Sequence, residues 1–477
     1  MVVDTAQQSG MRSATSNVDV VIVGGGPVGM LLAAELAQRD VEVLLLEPRT
    51  EVDERPRAGT VHARSLSQLA RRDYIPSLEP AEIERVAGQV RRAAFQFAGV
   101  SGLTLTAPAV EPGPLAGIGQ ATLEAAFEQR ARDLGADIRR GASARMISTC
   151  AAGVRVDLSP TAGSGCEASV EARFCVGADG GRSLVASSGD FPAVEVAATM
   201  SAISGLARSG TDGPPPGWNP TTLGWTMHNP NPTGRGRVIG MDFRGPSTQR
   251  STPSTTEYLA TMTAVLGKEP DLSSISHLTR FSDYGRYRST MRNGRLMVIG
   301  DAAHIHYPLG GQGLNTGMQD AFTLGWRLAE VVQGKATTST LDRWSRDRVA
   351  VAAVVVGNTV LQSRMMNPEM TDLRDAVQAM LTVPSIHDGF AEMISGQFQP
   401  GFVEDVAITD HHTATTTTLA RLLHSGRSVE LRTDETAPRL GLDDGDRISM
   451  TGQIVPTPPW RSALIGPDGY LRASSLQ

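Results

Sequence analysis

The stretch "VDVVIVGGGPVGMLLAAELAQRDVEVLLLEPR", beginning at Val18, constrains this chain more than any other. Val18 to Val23 is mostly apolar and β-branched, Gly24 to Gly29 is a glycine-rich turn, and Met30 to Arg39 holds neither proline nor glycine. That is the pattern of strand, tight turn and helix. Gly24, Gly26 and Gly29 complete G-x-G-x-x-G around Pro27, and a second strand, Val41 to Leu46, ends on Glu47, about the 20 residues downstream that ribose recognition requires. Gly24 turns the chain sharply, Gly26 lets a pyrophosphate approach the backbone, and Gly29 lets the helix pack on the strand. The helix N-terminus offers unpaired N–H groups to phosphate, and Glu47 offers a carboxylate to ribose hydroxyls. A carboxylate there disfavours a 2′-phosphate, so the turn is read as a site for FAD or NAD, which it does not distinguish.

With 477 residues, two or three domains are expected. The net charge is −6 and no Lys/Arg run suggests a nucleic-acid face, so the expected partner is a small molecule. Cys150, Cys166 and Cys175 form no C-x-x-C, which removes a dithiol redox centre and a disulfide framework; buried small hydrophobes are the expectation. Residues 1–17 are polar and read as a flexible tail rather than a signal peptide. The apolar run "VAVAAVVVG" from Val349 is too short to span a bilayer. The expectation is a soluble, cytoplasmic protein with no membrane partner, a monomer or a homodimer.

Beyond Glu47, Arg49, Arg55, Arg57 and Arg64 are cations within reach of a pyrophosphate in sequence, with Arg57 and Arg64 preferred. Val90 to Ala107 alternates as two short antiparallel strands, and residues 90–118 are expected to contribute to a substrate sheet. Residues 191–284 are richer in Pro and Gly, and "TTLGWTMH" and "GRVIGMDFRG" alternate with period two, as an inserted, half-buried antiparallel sheet does. Helices are expected to about Ser395, and a small α/β unit after them.

Two further segments carry chemistry. "VGADGGRS" from Val176 and "GDAAHIHYPLGGQGLN" from Gly300 each place an aspartate at the end of an apolar strand, where open α/β folds collect ligand atoms. In the second, Gly300 and Asp301 close the strand while Gly310, Gly311 and Gly313 open a helix, so one segment offers an acceptor for a polyol and N–H donors for a ring carbonyl. The trio of Gly24 motif, Asp179–Gly180 and Gly300–Asp301 resembles the group A flavoprotein monooxygenases, with the p-hydroxybenzoate hydroxylase fold. Within that family the chain looks most similar to actinobacterial polyketide hydroxylases and rifampicin monooxygenase.

The resemblance implies an α/β fold: a discontinuous Rossmann-like FAD-binding domain (18–190 and 285–397), an inserted antiparallel substrate domain (191–284), and a truncated thioredoxin-like domain (398–477) that lacks C-x-x-C and a last helix. It implies that FAD lies on Gly24, Gly26, Pro27 and Gly29, its ribose on Glu47, its pyrophosphate region near Arg57 and Arg64, and its flavin end near Gln120. Asp179 then serves FAD contact and NADPH approach, Asp301 binds the ribityl chain, Pro308 flanks the ring, and Gly311, Gln312, Gly313, Leu314 and Asn315 lie along the isoalloxazine. Tyr307 and Leu309 depart from what close relatives more often carry beside that proline. The reductant is NADPH or NADH, without a second G-x-G-x-x-G, and O₂ is the co-substrate. Reduced FAD adds O₂ to give a C4a-hydroperoxyflavin whose distal OH passes to an aromatic carbon, so no protein nucleophile is expected.

For the substrate, period two puts Trp225 with Met227, and Ile239 with Met241 and Phe243, on inward faces; Phe95 and Phe97 join them as candidate contacts. The resemblance and these apolar runs imply a polycyclic, phenolic polyketide. Arg208, Arg235, Arg237 and Arg244 keep a benzoate-type carboxylate clamp open, Arg237 sharing a face with Met241. His304 and His306 lack a third ligand, so they read as loop-positioning residues and no metal is expected. Baeyer-Villiger oxidation, epoxidation and antibiotic inactivation are alternatives on the same scaffold, a noncatalytic FAD-binding sensor is one from another class, and the halogenase W-x-W-x-I-P signature is missing.

Overall fold

The structure, a computed structural model, describes residues 16–55, 57–74, 91–159, 169–230, 234–440 and 447–476. Most of the expected tail, residues 1–15, and Cys166 lie outside the described residues, whereas Ser16 and Asn17 already belong to the first strand, Ser16–Val23. That strand is central in an eight-stranded sheet, paired in parallel with Val43–Glu47 on one side and Ser169–Gly177 on the other. Asp137–Arg140 and Leu296–Val298 extend the parallel part, and the strands Ala144–Thr149 and Val154–Leu158 form an antiparallel meander leading into Ser169–Gly177. Val43–Glu47 is buried at every residue, which explains its continuous apolar run: a central parallel strand is covered on both faces.

Helix Pro27–Ala37 starts on Pro27, whose fixed φ and missing N–H suit a first helical position. It packs against Gln120–Asp133 and the long helix Gln312–Val332. Small residues set that last contact: a Cβ at Gly317 would come 2.7 Å from Val28, and one at Gly325 2.6 Å from Glu35. Helix Ser339–Met366 is long and apolar enough to cross a membrane, but here Val351, Ala352, Val355 and Val356 are buried among other protein residues. Helices Thr371–Met380 and Pro384–Ser395 follow.

The inserted segment is a five-stranded antiparallel sheet in the order Gly217–Pro220, Gly224–Asn229, Gly236–Asp242, Ser201–Ser209, Leu272–Ser282. Its two faces sort by period two. Trp225, Met227, Ile239, Met241 and Phe243 share one core with Tyr307 and Leu309, while Ile203, Ala207 and Val238 pack beneath Tyr258 and Met262 of helix Thr255–Leu266. Contrary to the sequence expectation, the hairpin Arg91–Phe97/Val100–Ala107 does not join this sheet: among the described residues its two strands pair only with each other. Its Phe97, Val100, Leu103 and Leu105 instead fill the same core from another side.

The C-terminal residues form a six-stranded mixed sheet around Ile408, Leu431, Trp460 and Ile465, with one short helix, Leu419–Leu423. Buried polar contacts bolt it to the nucleotide-turn region. Arg72 donates to both carboxylate oxygens of Glu35 (2.8 and 3.1 Å) and to the carbonyls of Leu423 and Pro467, and Trp326 donates to Asp468 at 2.8 Å. Cys150 is exposed, against expectation, because it follows strand Ala144–Thr149 at an open turn; Cys175 is buried as expected.

Candidate functional site

The three separated motifs meet. Gly24, at φ +105°, lies so close to the next motif that a Cβ there would sit 2.4 Å from the Ala178 carbonyl oxygen, and one at Gly29 would strike the Gly24 oxygen at 2.0 Å. Val28 covers Gly300, whose Cβ position is 3.4 Å from it. Gly26 differs from its neighbours: nothing lies within 4 Å of where its Cβ would be, and it precedes the first helical residue. The open position above Gly26, at a helix N-terminus with Pro27 buried behind it, is a cradle of the shape and polarity that a pyrophosphate takes.

Glu47 is 4 % exposed, and its carboxylate accepts the Gly25 N–H at 2.6 Å and the Arg49 N–H and Nε at 2.9 and 2.7 Å. Burial alone raises its pKa, but the Arg49 hydrogen bonds and the Gly25 N–H win and hold it below the ordinary glutamate value. It is thus a charged acceptor with lone pairs left for hydroxyls. Arg57 is exposed and pairs with Asp53 at 2.8 Å. The backbone N–H of Gln120 donates to the Ala58 carbonyl, which sets the start of its helix beside the Arg57 loop.

Asp179 spends Oδ2 on the N–H groups of Leu184 (2.6 Å) and Val185 (3.3 Å), while Oδ1 is buried without a hydrogen-bond partner. Burial raises its pKa above the aspartate value against those donors. Asp301 is solvent-accessible yet so closely walled by protein that desolvation raises its carboxyl, with His304, Arg57 and Arg286 opposing. Pro308 is exposed, and Gly311, Gly313 and Leu314 are partly accessible, in the same segment as buried Leu309, Gly310 and Gln312. Gly310 and Gly311 adopt left-handed φ of 71° and 66°, which swings the chain into helix Gln312–Val332.

Several residues that hold this loop carry no sequence motif. Asp320, fully buried, accepts the Gly300 N–H at 3.0 Å and bonds His304 Nε2 at 2.7 Å through Oδ2, and accepts Arg348 Nε at 2.6 Å through Oδ1. Burial raises the Asp320 pKa, and Arg348 with His304 more than reverses it. His62 Nε2 lies 2.6 Å from the Gly310 carbonyl and His306 Nδ1 2.8 Å from the Tyr307 carbonyl; burial pushes both imidazoles down to about 4, so they are neutral donors at neutral pH. No local signal singles out this pair, because the two helices carry other charges, among them Arg327, Glu330, Asp342 and Arg346, and their packing is what buries Asp320 against Arg348.

Other expectations are corrected. Arg64 is buried with its guanidinium 3.5 Å above the Phe402 ring and 5.8 Å from that of Tyr470, so it serves the contact with the C-terminal sheet rather than a pyrophosphate. The Asn315 amide is engaged by protein: it donates to the Thr60 and Gly311 carbonyls (2.9 and 2.8 Å) and accepts the His62 N–H (2.9 Å), so both of its own N–H bonds are already committed within the loop. Of the candidate substrate contacts, Phe97, Trp225 and Met241 are buried in the shared core, with Trp225 also lining a surface pocket beside Thr221, Pro368 and Arg374. Trp225 donates to the Met366 carbonyl at 2.6 Å and lies under Gly99, while Met241 accepts the Tyr307 hydroxyl at 3.1 Å. Phe95, Met227 and Phe243 remain partly accessible.

The comparisons with known proteins meet this geometry. The profile described as FAD binding domain matches residues 17–359. The chain belongs to that family of FAD-dependent monooxygenases. It is 34% identical to rifampicin monooxygenase of Streptomyces venezuelae over 74% of this chain and 72% of the relative, and 31% identical to dialkyldecalin synthase of Streptomyces rugosporus over 86% of each. The solved structure of OxyS anhydrotetracycline hydroxylase from Streptomyces rimosus superposes with a TM-score of 0.84 at 27% identity, covering 96% of both chains. FAD is therefore the cofactor, with NAD(P)H as reductant and O₂ as co-substrate. The Gly26 cradle, the ionised Glu47 and the walled, accessible Asp301 fit it. Among the described residues no cluster of ligating side chains could hold a metal.

Proposed function

We propose that this enzyme hydroxylates a polycyclic, phenolic, polyketide-type aromatic at the expense of NAD(P)H and O₂, in the cytoplasm, in the making of a secondary metabolite. The observation that carries the reading is the apolar core shared by the five-stranded sheet and the Tyr307–Leu309 loop, from which Phe95, Met227 and Phe243 remain accessible. An apolar face that emerges beside a flavin loop suits a fused-ring substrate, which gains about 25 cal/mol per Å² of apolar area removed from water. The similarity to a tetracycline hydroxylase and to rifampicin monooxygenase supports the same substrate class.

When bound, FAD would supply the electrons that activate O₂, one atom of which would go to the substrate and the other to water. The chain's own residues would hold it: the Gly24–Gly29 turn at the pyrophosphate, Glu47 at the ribose, Asp301 at the ribityl hydroxyls, and the Gly311–Asn315 segment along the ring. The Asp320–Arg348–His304 network fixes the Gly300–Asp301 turn from behind. On this reading residues 18–190 and 285–397 would form the FAD-binding domain, 191–284 the substrate domain and 398–477 the C-terminal domain.

The test compares NADPH consumed with product formed for a tetracyclic phenol and for p-hydroxybenzoate. Tight coupling with the tetracyclic compound is expected; coupling with the benzoate and with no polycyclic compound overturns the assignment. The dialkyldecalin synthase relative makes a second outcome specific: product formed without NADPH consumption marks a cyclase on the same scaffold.

A further inference from the structure

Arg237 stands out among the charged groups outside the cradle. It lies in strand Gly236–Asp242 on the face that also presents Ile239 and Met241 to the shared core. Its Nε donates to Ser204 Oγ at 3.0 Å and its Nη1 to the Arg57 carbonyl at 3.1 Å, so the guanidinium is fixed at the seam between the antiparallel sheet and the nucleotide-side loop. It makes no ion pair among the described residues. The groups around it are Arg57 itself, whose charge is engaged by Asp53 at 2.8 Å, and, two residues earlier on its own strand, Arg235, which donates to the Ser274 carbonyl at 2.9 Å. Burial lowers the pKa of Arg237 and no carboxylate offsets it. The side chain is still partly accessible.

A structural arginine in so enclosed a place is normally paired, because an uncompensated charge is costly to bury. Here two neutral acceptors orient the fork, and its positive charge, still partly accessible, is left to meet an anion at the seam. Planar guanidinium groups suit oxyanions, to which they donate in parallel. We propose that Arg237 is an anion-recognition residue that receives an oxyanion at this seam, either the ionised phenol or enol of the aromatic substrate or an anionic group of the bound flavin nucleotide. The proposal rests on the function inferred above, but it concerns binding and does not require turnover.

The experiment uses the FAD-loaded enzyme, a hydroxyanthraquinone, its methyl ether, and the variants Arg237→Met and Arg237→Lys. Ligand dissociation constants are read from the flavin spectrum across the phenol's ionisation, and FAD dissociation constants from flavin fluorescence. In the wild-type enzyme the hydroxyanthraquinone is expected to tighten as it ionises and the ether to be indifferent to pH. In Arg237→Met that tightening, about tenfold to a hundredfold for a hydrogen bond to a charged group, is lost with FAD affinity unchanged, and Arg237→Lys restores part of it. Loss of FAD affinity by a similar factor, again with partial rescue by lysine, assigns the anion to the cofactor. Wild-type values for both ligands in Arg237→Met overturn the proposal, as does an equal loss in Met and Lys variants with the pH dependence intact. Failure of the wild-type enzyme to bind any hydroxyanthraquinone counts against the substrate class, and the FAD measurement then decides the role of Arg237 alone.

Discussion

Arg348→Met removes the cation that faces the most deeply buried carboxylate behind the cofactor loop. Asp320 is 0 % and Arg348 2 % exposed, and the Nε to Oδ1 distance is 2.6 Å. The same guanidinium donates to the Thr316 carbonyl and to Gln399 Oε1, each at 3.1 Å. Breaking a buried ion pair from one side costs about 3–5 kcal/mol, because the remaining charge stays desolvated. The two lost neutral acceptors act on the same group, so their contributions, about 1 kcal/mol each in isolation, are not simply added. A loss of about 3–5 kcal/mol is expected at about pH 7.5, read as a lower urea midpoint with unchanged slope for the transition that exposes this core.

The pH dependence separates this account from simple loss of packing. In the wild-type protein the Asp320 pKa is lowered, so its contribution is present above the ordinary aspartate value and fades as pH falls through the lower folded value. Without Arg348, burial becomes the dominant influence and the carboxyl takes up a proton at higher pH. The deficit of the variant is therefore smaller at about pH 5.5 than at about pH 7.5. A deficit under about 1 kcal/mol at the higher pH, or one that does not shrink on acidification, would refute the reasoning.

Gly26→Ala is expected to leave stability within about 0.5 kcal/mol, since its Cβ would meet no protein atom within 4 Å, yet to weaken FAD binding in a fluorescence titration; unchanged affinity removes the cradle. Asp179→Ala loses the acceptor of two N–H groups at the start of a short helix, at about 1 kcal/mol, keeps FAD, and is reduced slowly by NADPH in stopped flow; reduction at the wild-type rate removes its part in reductant approach.

The nucleotide turn was legible because its constraints are local. Strand, glycines and helix adjoin in sequence, and Gly24, Gly29 and Glu47 meet within that one unit. Alternation in Gly236–Asp242 likewise set which side chains face the shared core. What failed was partner choice at long range. Arg64 looks like a phosphate ligand until Phe402, 338 residues on, is folded beneath it, and Asn315 looks available until Thr60 and His62 claim its amide. The aromatic and sulfur side chains were sorted correctly by face but not by depth: Trp225 and Met241 are capped by Gly99 and Tyr307, which no periodicity encodes. Asp320 and Arg348 are two charges among several on their helices, and they become assignable to each other once those helices pack together.

The central claim is that one atom of O₂ enters an aromatic substrate held beside the Asp301–Leu314 loop. Its most direct test is a reaction of the FAD-loaded enzyme with NADPH and a tetracyclic phenol under ¹⁸O₂, followed by mass spectrometry of the product. The account predicts a product carrying one ¹⁸O atom, formed in step with NADPH oxidation. A product of unchanged composition, or one that takes its new oxygen from water, would contradict it.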